Sequence, residues 1–477
     1  MANSLAWEEI DDSHNFYVKQ GPLLADILSN AATSIDRYLE LGGYQVAGRA
    51  ILQNPLEIIR MVEEAGLRGR GGGGFPTGHK WRLVAESESP ERYLICNANA
   101  VQPGGLKERF LIRTSPHRVL ESVLLAAHAV GATTAIISLP YHLEPETALL
   151  ERALEEATSK GFAGQRSFGS ARALHILICQ SPSSYITGEE TALIELLEGR
   201  APQPRGKPPL PTSRGLFGKP TVVSNLETIL HAYHIVKYGP NRFRELGSEY
   251  SPGTLIFSLT GDIQRPGLYE LPLGTAVREL IFDHAQGTHS GSKIKAVLPG
   301  GVFSPAIADS SLNLKLDYDS VRDAGCNLGS GVVVVISEMV PALQLASLLA
   351  TFFYEKSCGK CKPCKDGNWR TLQMLHRLIG PDNENKEIMN RHPQSFSQEV
   401  PSLMILNNPG GIRYTDHVEG LDKIRHLCEF YKYRGDCHHS TESANSIQRL
   451  LDLFPAEFEK NAGNLNGSLV AGASNGS

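Results

Sequence analysis

A glycine-rich stretch, GLRGRGGGGFPTGHKW at residues 66–81, decides how the rest of the chain is interpreted. Glycine has no Cβ atom, so its backbone can lie against a flat or phosphorylated ligand, and consecutive backbone N–H groups can hold phosphate oxygens. Arg70 and Lys80 supply positive charge, and Phe75 could stack on a ring. A flexible linker is the plainer alternative. This stretch, however, lacks serine and is bracketed by Arg, Phe, Lys and Trp, which a linker does not need.

After this stretch, strand-like and helical segments alternate. Short apolar strands are predicted at 93–96, 134–138 and 173–179, and helices at 116–130 and 147–160. Such alternation predicts an α/β domain with a mainly parallel sheet.

The flanking regions have other patterns. Apolar positions at helical spacing predict helices at 23–38 and 44–61. Short strands at 254–261, 267–270 and 293–298, with a helical stretch at 276–282 and a further strand at 331–337, suit a small β-grasp-like unit; from residue 341 the chain is helical, apart from a polar loop at 382–409. The predicted domains are an N-terminal helical segment (1–60), the α/β domain (61–240), the β-grasp domain (248–338), a C-terminal α-helical bundle (340–460) and a disordered tail (461–477).

Charge and hydropathy exclude several classes of protein. The 477 residues include 46 basic and 51 acidic ones, and a net charge of −5 gives no electrostatic case for nucleic acid. The N-terminus lacks the basic and apolar regions of a secretory signal. Charged residues or proline interrupt the most apolar stretches, 119–140 and 332–354, and this argues against a membrane span. We therefore expect a soluble, cytoplasmic protein, docked at most peripherally on a larger, membrane-bound assembly.

Three of the eight cysteines, Cys358, Cys361 and Cys364, are spaced two residues apart. Fe–S clusters are held by cysteine thiolates, and closely spaced runs of this kind are one recurring form. Zinc is the competing metal, although structural zinc sites usually use two separated cysteine pairs. A fourth ligand has to come from elsewhere, with Cys437 and Cys428 as candidates.

Two adjacent carboxylates, Glu189 and Glu190, follow the strand at 173–179 and open a helix. Acidic groups at a helix N-terminus are favoured by the helix dipole, so an ordinary charged first turn would explain them. The functional interpretation is that they bind the polar edge of a cofactor.

These segments resemble the NADH-binding flavoprotein subunit of respiratory complex I and the related diaphorase subunits of NAD-linked hydrogenases and formate dehydrogenases. The resemblance runs from about residue 50 to residue 460 and is carried by GLRGRGGGGFPTGHKW, YLICNA, YITGEETALIELLEG, PRGKPPLP, GKPTVVSNLET and SCGKCKPCKDG. It implies an α/β domain that binds FMN and NADH or NADPH, a ubiquitin-like middle domain and a helical bundle with one [4Fe–4S] cluster. The implied partners are a thioredoxin-like [2Fe–2S] subunit and a larger Fe–S subunit of a multi-subunit oxidoreductase.

The resemblance also implies roles for individual residues. The FMN phosphate and ribityl chain are expected at Gly69, Gly71, Gly72 and Lys80. The flavin pocket is completed by Asn97, Asn99, Tyr185, Gly188, Glu189, Glu190, Ser224, Asn225 and Thr228. Phe75 and Lys207 match nicotinamide-nucleotide contacts, and Glu190 is expected to tune hydride transfer. The implied cluster ligands are Cys358, Cys361, Cys364 and Cys437, the last standing before a closing helix at 446–454.

The chain departs from the family where flavin and nicotinamide meet. After YLICNA the family reads Asp-Glu-Gly-Glu-Pro-Gly, whereas this chain has Asn99, Ala100, Val101 and Gln102 before Pro-Gly. Leucines also replace the phenylalanines that often sandwich the adenine, at Leu83 and Leu210. Two functions follow: an NAD(P)H-oxidising flavoprotein subunit, or a non-catalytic FMN/Fe–S electron-transfer subunit that has lost nicotinamide binding.

Overall fold

The computed structural model describes residues 16–99, 101–170, 173–379 and 421–460. They form two compact units, one ending at Ser337 and the other beginning at Glu338. The polar loop predicted at 382–409 and the tail predicted at 461–477 lie outside the described residues.

The first unit contains ten strands over its described residues. They are β1 (Tyr17–Lys19), β2 (Tyr93–Asn97), β3 (Thr134–Pro140), β4 (His175–Ser181), β5 (Thr221–Asn225), β6 (Thr254–Gly261), β7 (Gly267–Pro272), β8 (Ile294–Val302), β9 (Ile307–Ala308) and β10 (Val332–Ser337).

Its α-helices are α1 (Pro22–Ser29), α2 (Ile35–Glu40), α3 (Gln45–Ile51), α4 (Pro55–Glu64), α5 (Thr77–Ala85), α6 (Lys107–Thr114), α7 (Pro116–Val130), α8 (Glu144–Ser159), α9 (Glu190–Leu197), α10 (Pro211–Arg214), α11 (Leu226–Tyr238), α12 (Pro240–Arg244) and α13 (Tyr318–Asp323).

Strands β2 to β5 form a four-stranded, fully parallel sheet in the order β4-β3-β2-β5. This confirms the predicted α/β fold with a parallel sheet. Every residue of α7 is buried, because this helix packs against β2 and β3 and is covered by α3, α4, α5, α8 and α11. Its few charged side chains, such as Arg118 and Glu121, are buried with hydrogen-bond partners on other elements.

The other six strands form a mixed sheet in the order β1-β7-β6-β10-β8-β9. The first strand pairs in parallel with β7, so the N-terminal region contributes a strand as well as the predicted helices. The helical stretch predicted at 276–282 is present, and most of it is a π-helical segment, Glu279–His284.

The two long helices predicted near the N-terminus are each divided in two. The first separates into α1 and α2, and the second into α3 and α4. The second helix is interrupted after Ile51, where α3 ends. Asn54 then starts α4 as its N-cap: its side-chain oxygen accepts a hydrogen bond from the Leu56 N–H, and Pro55 is the first helical residue.

The second unit is helical over its described residues. The helices are α14 (Ala342–Glu355), α15 (Lys362–Ile379), α16 (Asp422–Lys432), α17 (His438–Leu453) and α18 (Pro455–Glu459). Packing of α14, α15, α16 and α17 against one another buries side chains such as Leu345, Leu372, Leu427 and Ile447. No helix among the described residues is long and apolar enough to cross a membrane.

Candidate functional site

The glycine-rich stretch is a loop that joins α4 to α5 and crosses the end of β5. A Cβ atom on Gly71 would lie 3.0 Å from the Cβ of Asn225, so the close crossing requires glycine. Gly72 has φ +117°, a conformation that other residues rarely adopt. Beside Gly73 the space is open, because a Cβ there would meet no atom within 4 Å.

Arg70 fixes this loop to the second sheet. Its guanidinium is fully buried and donates to the carbonyl oxygens of Arg68, Pro252 and Thr254. Its backbone N–H donates to Thr228 Oγ1 at 2.8 Å. Arg70 therefore does not supply the ligand-facing charge that the sequence suggested, because its donors are already used by backbone carbonyls.

The loop is further held by Tyr318 at the start of α13, whose hydroxyl donates to the Gly69 carbonyl at 2.7 Å. Below it, Lys107 Nζ lies 2.6 Å from Glu227 Oε2 and also donates to the Arg70 carbonyl at 3.2 Å. Both side chains of this ion pair are buried. Burial would raise the pKa of Glu227, but Lys107 and His231 hold it at about 2, so this carboxylate stays charged at neutral pH.

The carboxyl ends of β2 and β5 lie beside the loop. Asn97 is in register with Asn225, and Ser224 precedes it in a buried position. The Asn97 Nδ2 group donates to the Gly188 carbonyl at 3.0 Å, and Asn225 Oδ1 accepts from the Glu227 N–H at 2.9 Å. Ligands of open α/β sheets bind outside the carboxyl ends of the strands. Asn97, Ser224 and Asn225 therefore lie at the sheet edge where ligands of this kind of fold bind.

Two lysines and two carboxylates form a chain of ion pairs at this edge. Lys80 Nζ lies 2.8 Å from Glu190 Oε2 and 3.0 Å from the Val223 carbonyl. Lys207 Nζ lies 2.9 Å from both Glu189 Oε1 and Glu190 Oε1. Glu189 also accepts hydrogen bonds from the first backbone N–H groups of α9, so it is the helix cap that its position suggested. Glu190 has a different environment, since it bridges the two lysines.

Glu190 and Lys207, two members of this ion-pair cluster, keep their charges at neutral pH. Burial would raise the pKa of Glu190, but Lys80 and Lys207 hold it below its ordinary value. Burial likewise opposes the charge on Lys207, while Glu190 and Glu189 raise the pKa of this lysine above its ordinary value. With two lysines and two carboxylates, the cluster has a formal net charge of zero.

Asn99 replaces an acidic residue of the family and joins a network of neutral groups. Its backbone N–H and its Nδ2 donate to Asn97 Oδ1 at 3.1 and 2.9 Å. Its Oδ1 accepts from the Ser181 hydroxyl, and its Nδ2 also lies 3.2 Å from Ser138 Oγ. The side chain thus orients Asn97, whose other end holds the Gly188 carbonyl.

Gln102, the other amide of the altered stretch, attaches the second sheet to the site. Its Nε2 donates to the Gly300 carbonyl at 2.8 Å, and its Oε1 accepts from Ser330 Oγ at 3.0 Å. The strand that includes Gly300 leads to Phe303, whose ring stacks on Tyr185 with centroids 3.8 Å apart. A carboxylate could not donate to the Gly300 carbonyl, so the amide at this position suits the contact that it makes.

The apolar side chains expected near the nicotinamide nucleotide lie at the surface. Phe75, Leu83 and Leu210 are 45%, 40% and 46% exposed. The Phe75 ring has the His79 ring as a neighbour at 5.9 Å. These side chains are therefore available to a ligand.

The cysteine triplet lies in the second unit, at the start of α15. Burial, and then the neighbouring Cys437, Cys361 and Cys358 thiols, raise the pKa of Cys364 to about 12. The four cysteines expected from the resemblance are thus close enough to interact electrostatically. The backbone N–H of Asp436 donates to Cys361 Sγ at 3.2 Å.

Cys428, the alternative fourth ligand, has a different environment. It is completely buried on α16, its Sγ lies 3.8 Å from the Tyr431 hydroxyl, and burial raises its pKa to about 12. Cys437 is partly exposed and is the last residue before α17, so the closing helix starts earlier than predicted. This geometry favours Cys437. Within the described parts of the chain, no three His, Cys, Asp or Glu side chains are arranged to hold a single metal ion.

Comparison with known proteins identifies both regions. Residues 62–234 match the model of the Nuo51 FMN-binding domain, and residues 344–398 match the NADH-ubiquinone oxidoreductase-F iron-sulfur binding region. The F 2 subunit of NADH-quinone oxidoreductase from Rhizobium meliloti is 41% identical over 73% of this chain and 83% of its own length. The corresponding F subunit from Aquifex aeolicus is 38% identical over 76% of this chain and 85% of its own length.

The chain belongs to the family of NADH-quinone oxidoreductase F subunits. It is thus an oxidoreductase subunit of the NADH dehydrogenase type, with FMN and a [4Fe–4S] cluster as the cofactors of its two matched regions. A solved structure of an NAD⁺-reducing [NiFe]-hydrogenase in the H₂-reduced state superposes with a TM-score of 0.76 and 28% identity; the match covers 94% of this chain and 68% of that one.

Sequence reasoning missed the contacts that residues after β8 make with the site. Phe303 and Tyr318 are more than 100 residues from the segments that they contact, and no short motif marks them. From the sequence, Gln102 was considered only as the loss of an acidic residue, although its amide can both donate and accept hydrogen bonds. Only the three-dimensional arrangement shows its partners, Gly300 and Ser330.

Proposed function

We propose that this chain oxidises NADH or NADPH at the edge of its parallel sheet and delivers the electrons through its helical unit to partner Fe–S subunits. When bound, FMN supplies hydride acceptance and one-electron release, chemistry that belongs to the cofactor and not to side chains. The observation that carries the proposal is Glu190, held between Lys80 and Lys207 next to a glycine loop with open space beside it.

The residues at this edge fit a flavin nucleotide. Open space beside Gly73, Gly188 and Gly206, where a Cβ would meet nothing within 4 Å, allows a ligand to approach the backbone. Lys80 offers a cation to a phosphate or a ring carbonyl. We assign FMN contacts to Gly69, Gly71, Gly72, Lys80, Asn97, Asn99, Tyr185, Gly188, Glu189, Glu190, Ser224, Asn225 and Thr228, with Phe75 and Lys207 facing the nicotinamide nucleotide.

Glu190 is the residue that we assign to the reaction itself. Its carboxylate stays ionised because two lysines hold its pKa down, so it acts as a fixed negative charge and a hydrogen-bond acceptor. Such a charge holds Lys80 and Lys207 in one arrangement and orients a nicotinamide amide, which is a donor. Positioning of this kind costs no reorganisation during the reaction.

In the helical unit, we assign Cys358, Cys361, Cys364 and Cys437 as the [4Fe–4S] ligands. We assign 248–338, which contains the mixed sheet apart from β1, to the β-grasp domain, and 340–460 to the cluster domain. The electron acceptors that we propose are a thioredoxin-like [2Fe–2S] subunit and a larger Fe–S subunit, in a cytoplasmic, peripheral part of a multi-subunit complex. Relatives named as subunits of NADH-quinone oxidoreductase support this.

A second candidate function is electron transfer without nicotinamide oxidation. Asn99 and Gln102 favour it, because neutral amides already engaged with the protein take the place of acids in the stretch next to the flavin edge. In that case FMN and the cluster are retained, and a partner protein supplies the electrons.

One experiment separates the two candidates. The chain is purified anaerobically, FMN and iron are quantified, and the protein is mixed with NADH or NADPH in a stopped-flow instrument. Loss of flavin absorbance within milliseconds to seconds supports nicotinamide oxidation. A flavin that stays oxidised with both nucleotides, yet is reduced by dithionite, refutes it and leaves the electron-transfer function.

A further inference from the structure

Beneath the cysteine triplet, a buried polar side chain faces one of the cluster sulfurs. Asn368 lies one helical turn after Cys364 on α15 and is 1% exposed. Its Nδ2 donates to the Cys364 carbonyl at 2.9 Å and lies 3.6 Å from Cys364 Sγ, within hydrogen-bond reach of a sulfur acceptor.

Neighbouring helices determine which end of this amide faces the sulfur. Asn368 Oδ1 accepts a hydrogen bond from the Ser443 hydroxyl of α17. A flipped amide would place its oxygen 2.9 Å from the Cys364 carbonyl oxygen, and two acceptors at that distance repel. The NH₂ group therefore points to the cysteine.

The Ser443 hydroxyl is held in turn from α16. Tyr431 OH lies 3.0 Å from Ser443 Oγ, and both side chains are buried. The tyrosine ring packs on Gly367, where a Cβ atom would come within 2.4 Å of it. This close approach of α16 to α15 aligns the chain of hydrogen bonds from Tyr431 through Ser443 to Asn368.

We propose that Asn368 is a positioning residue for electron transfer, which donates a hydrogen bond to the Cys364 thiolate and raises the reduction potential of the [4Fe–4S] cluster. Reduction adds one electron to the cluster and makes its sulfurs more negative. A donor aimed at a sulfur stabilises the reduced form more than the oxidised form, and hydrogen bonds to the sulfurs are among the factors that set such potentials. The inference rests on the cluster assigned under the proposed function.

The test is an EPR-monitored redox titration of the full chain, with dithionite as reductant. Leucine is similar in size to asparagine and has no donor. In N368L we therefore expect the ratio of reduced to oxidised cluster at a given potential to fall about tenfold, which is a shift of the midpoint potential by ~59 mV to lower values for a one-electron couple. A deuteron coupling to the reduced cluster after exchange into D₂O should also be lost. A matched control is Q448L, an exposed amide on α17 that pairs with Glu429, and it should leave the potential unchanged.

Outcomes for the cluster and for Asn368 can be told apart. Wild-type protein without an EPR-active cluster would overturn the proposed function, and the inference with it. A cluster with the wild-type potential in N368L would overturn the inference alone. If N368L assembles no cluster, the same titration is made on S443A. This variant keeps Asn368 and removes the hydroxyl that orients its amide. A lower potential supports the inference and an unchanged one refutes it.

Discussion

Replacing Glu190 by glutamine tests the role of the ion-pair cluster most directly. The substitution preserves size but removes one negative charge, so the cluster changes from neutral to a net charge of +1. Two charge-assisted contacts are affected, one to Lys80 at 2.8 Å and one to Lys207 at 2.9 Å. The fold should be retained, because α9 is capped by Glu189 and not by Glu190.

The size of the effect follows from these contacts. Hydrogen bonds to charged groups contribute about 1.5–3 kcal/mol each. The Glu190 and Lys80 side chains are each 22% exposed and that of Lys207 is 37% exposed, so solvent screening reduces the values. A net loss of about 1–3 kcal/mol in positioning corresponds to roughly 5- to 150-fold slower flavin reduction. FMN content should stay near that of the wild type, because Lys80 keeps its contact with the Val223 carbonyl.

The assay is stopped-flow reduction of the FMN-loaded variant by NADH, followed by flavin absorbance. E195Q is the matched control, since Glu195 lies on the same helix, has a similar side-chain exposure and pairs with two arginines, Arg200 and Arg205. Wild-type reduction rates in E190Q would refute the assignment of Glu190. An equal loss in E195Q would show that any broken ion pair on α9 disturbs the site.

The pH dependence provides a second check on the same residue. The folded-state pKa of Glu190 is below its ordinary value, so its ion pairs are fully formed above about pH 4.3 and are lost only as the pH falls through the lowered pKa. The rate of flavin reduction should therefore show no break from this group between about pH 5 and pH 8. A break in the wild type that disappears in E190Q would contradict this reasoning.

Four further substitutions have specific expected outcomes. C437S should lose cluster iron, measured by iron content and EPR, whereas C428S should retain it; the reverse result would make Cys428 the ligand. Q102A should raise the KM for NADH, because the Gly300 carbonyl of β8 loses its donor, while FMN content stays constant; an unchanged KM would refute this role. E227Q should lower the free energy of unfolding by about 3–5 kcal/mol, since it leaves the Lys107 charge buried and unpaired, and a thermal melt with a wild-type midpoint would contradict this.

Short-range pattern predicted much of the first unit. The helix at 116–130 and the strand at 254–261 have the predicted bounds, because a long apolar run and a β-branched strand need no distant partner to be recognised. The N-terminal helices were predicted too long, since the apolar spacing continues across the break between Ile51 and Pro55, where α3 ends and Asn54 caps the start of α4. The strand at Tyr17–Lys19 was missed because three residues have no detectable period, and this strand exists only through its pairing with β7.

For the site, the sequence indicated which residues take part but not how they are arranged. Glu189, Glu190, Lys80 and Lys207 were all selected from sequence, and the structure brings them within hydrogen-bond distance. Their arrangement was not predictable, because Lys80 and Glu190 are 110 residues apart and meet only when α5 and α9 pack at one edge of the sheet. Arg70 illustrates the opposite error, since its charge was visible in the sequence but its burial was not.

In the stretch at 99–102, amides stand where the resemblance implies acidic residues, and these amides bind other groups of the protein. The change is therefore more than a loss of negative charge. Asn99 donates to Asn97, and Gln102 donates to the Gly300 carbonyl and accepts from Ser330. Each amide uses both a donor and an acceptor, which a carboxylate cannot do. These hydrogen bonds, together with the Tyr185–Phe303 stack, hold this side of the site in place through contacts within the protein. Because preorganised contacts lower the ordering cost of binding, we expect nicotinamide oxidation to be retained with fewer acidic groups. The Q102A variant measures how much of the nucleotide binding depends on the contacts of Gln102 with Gly300 and Ser330.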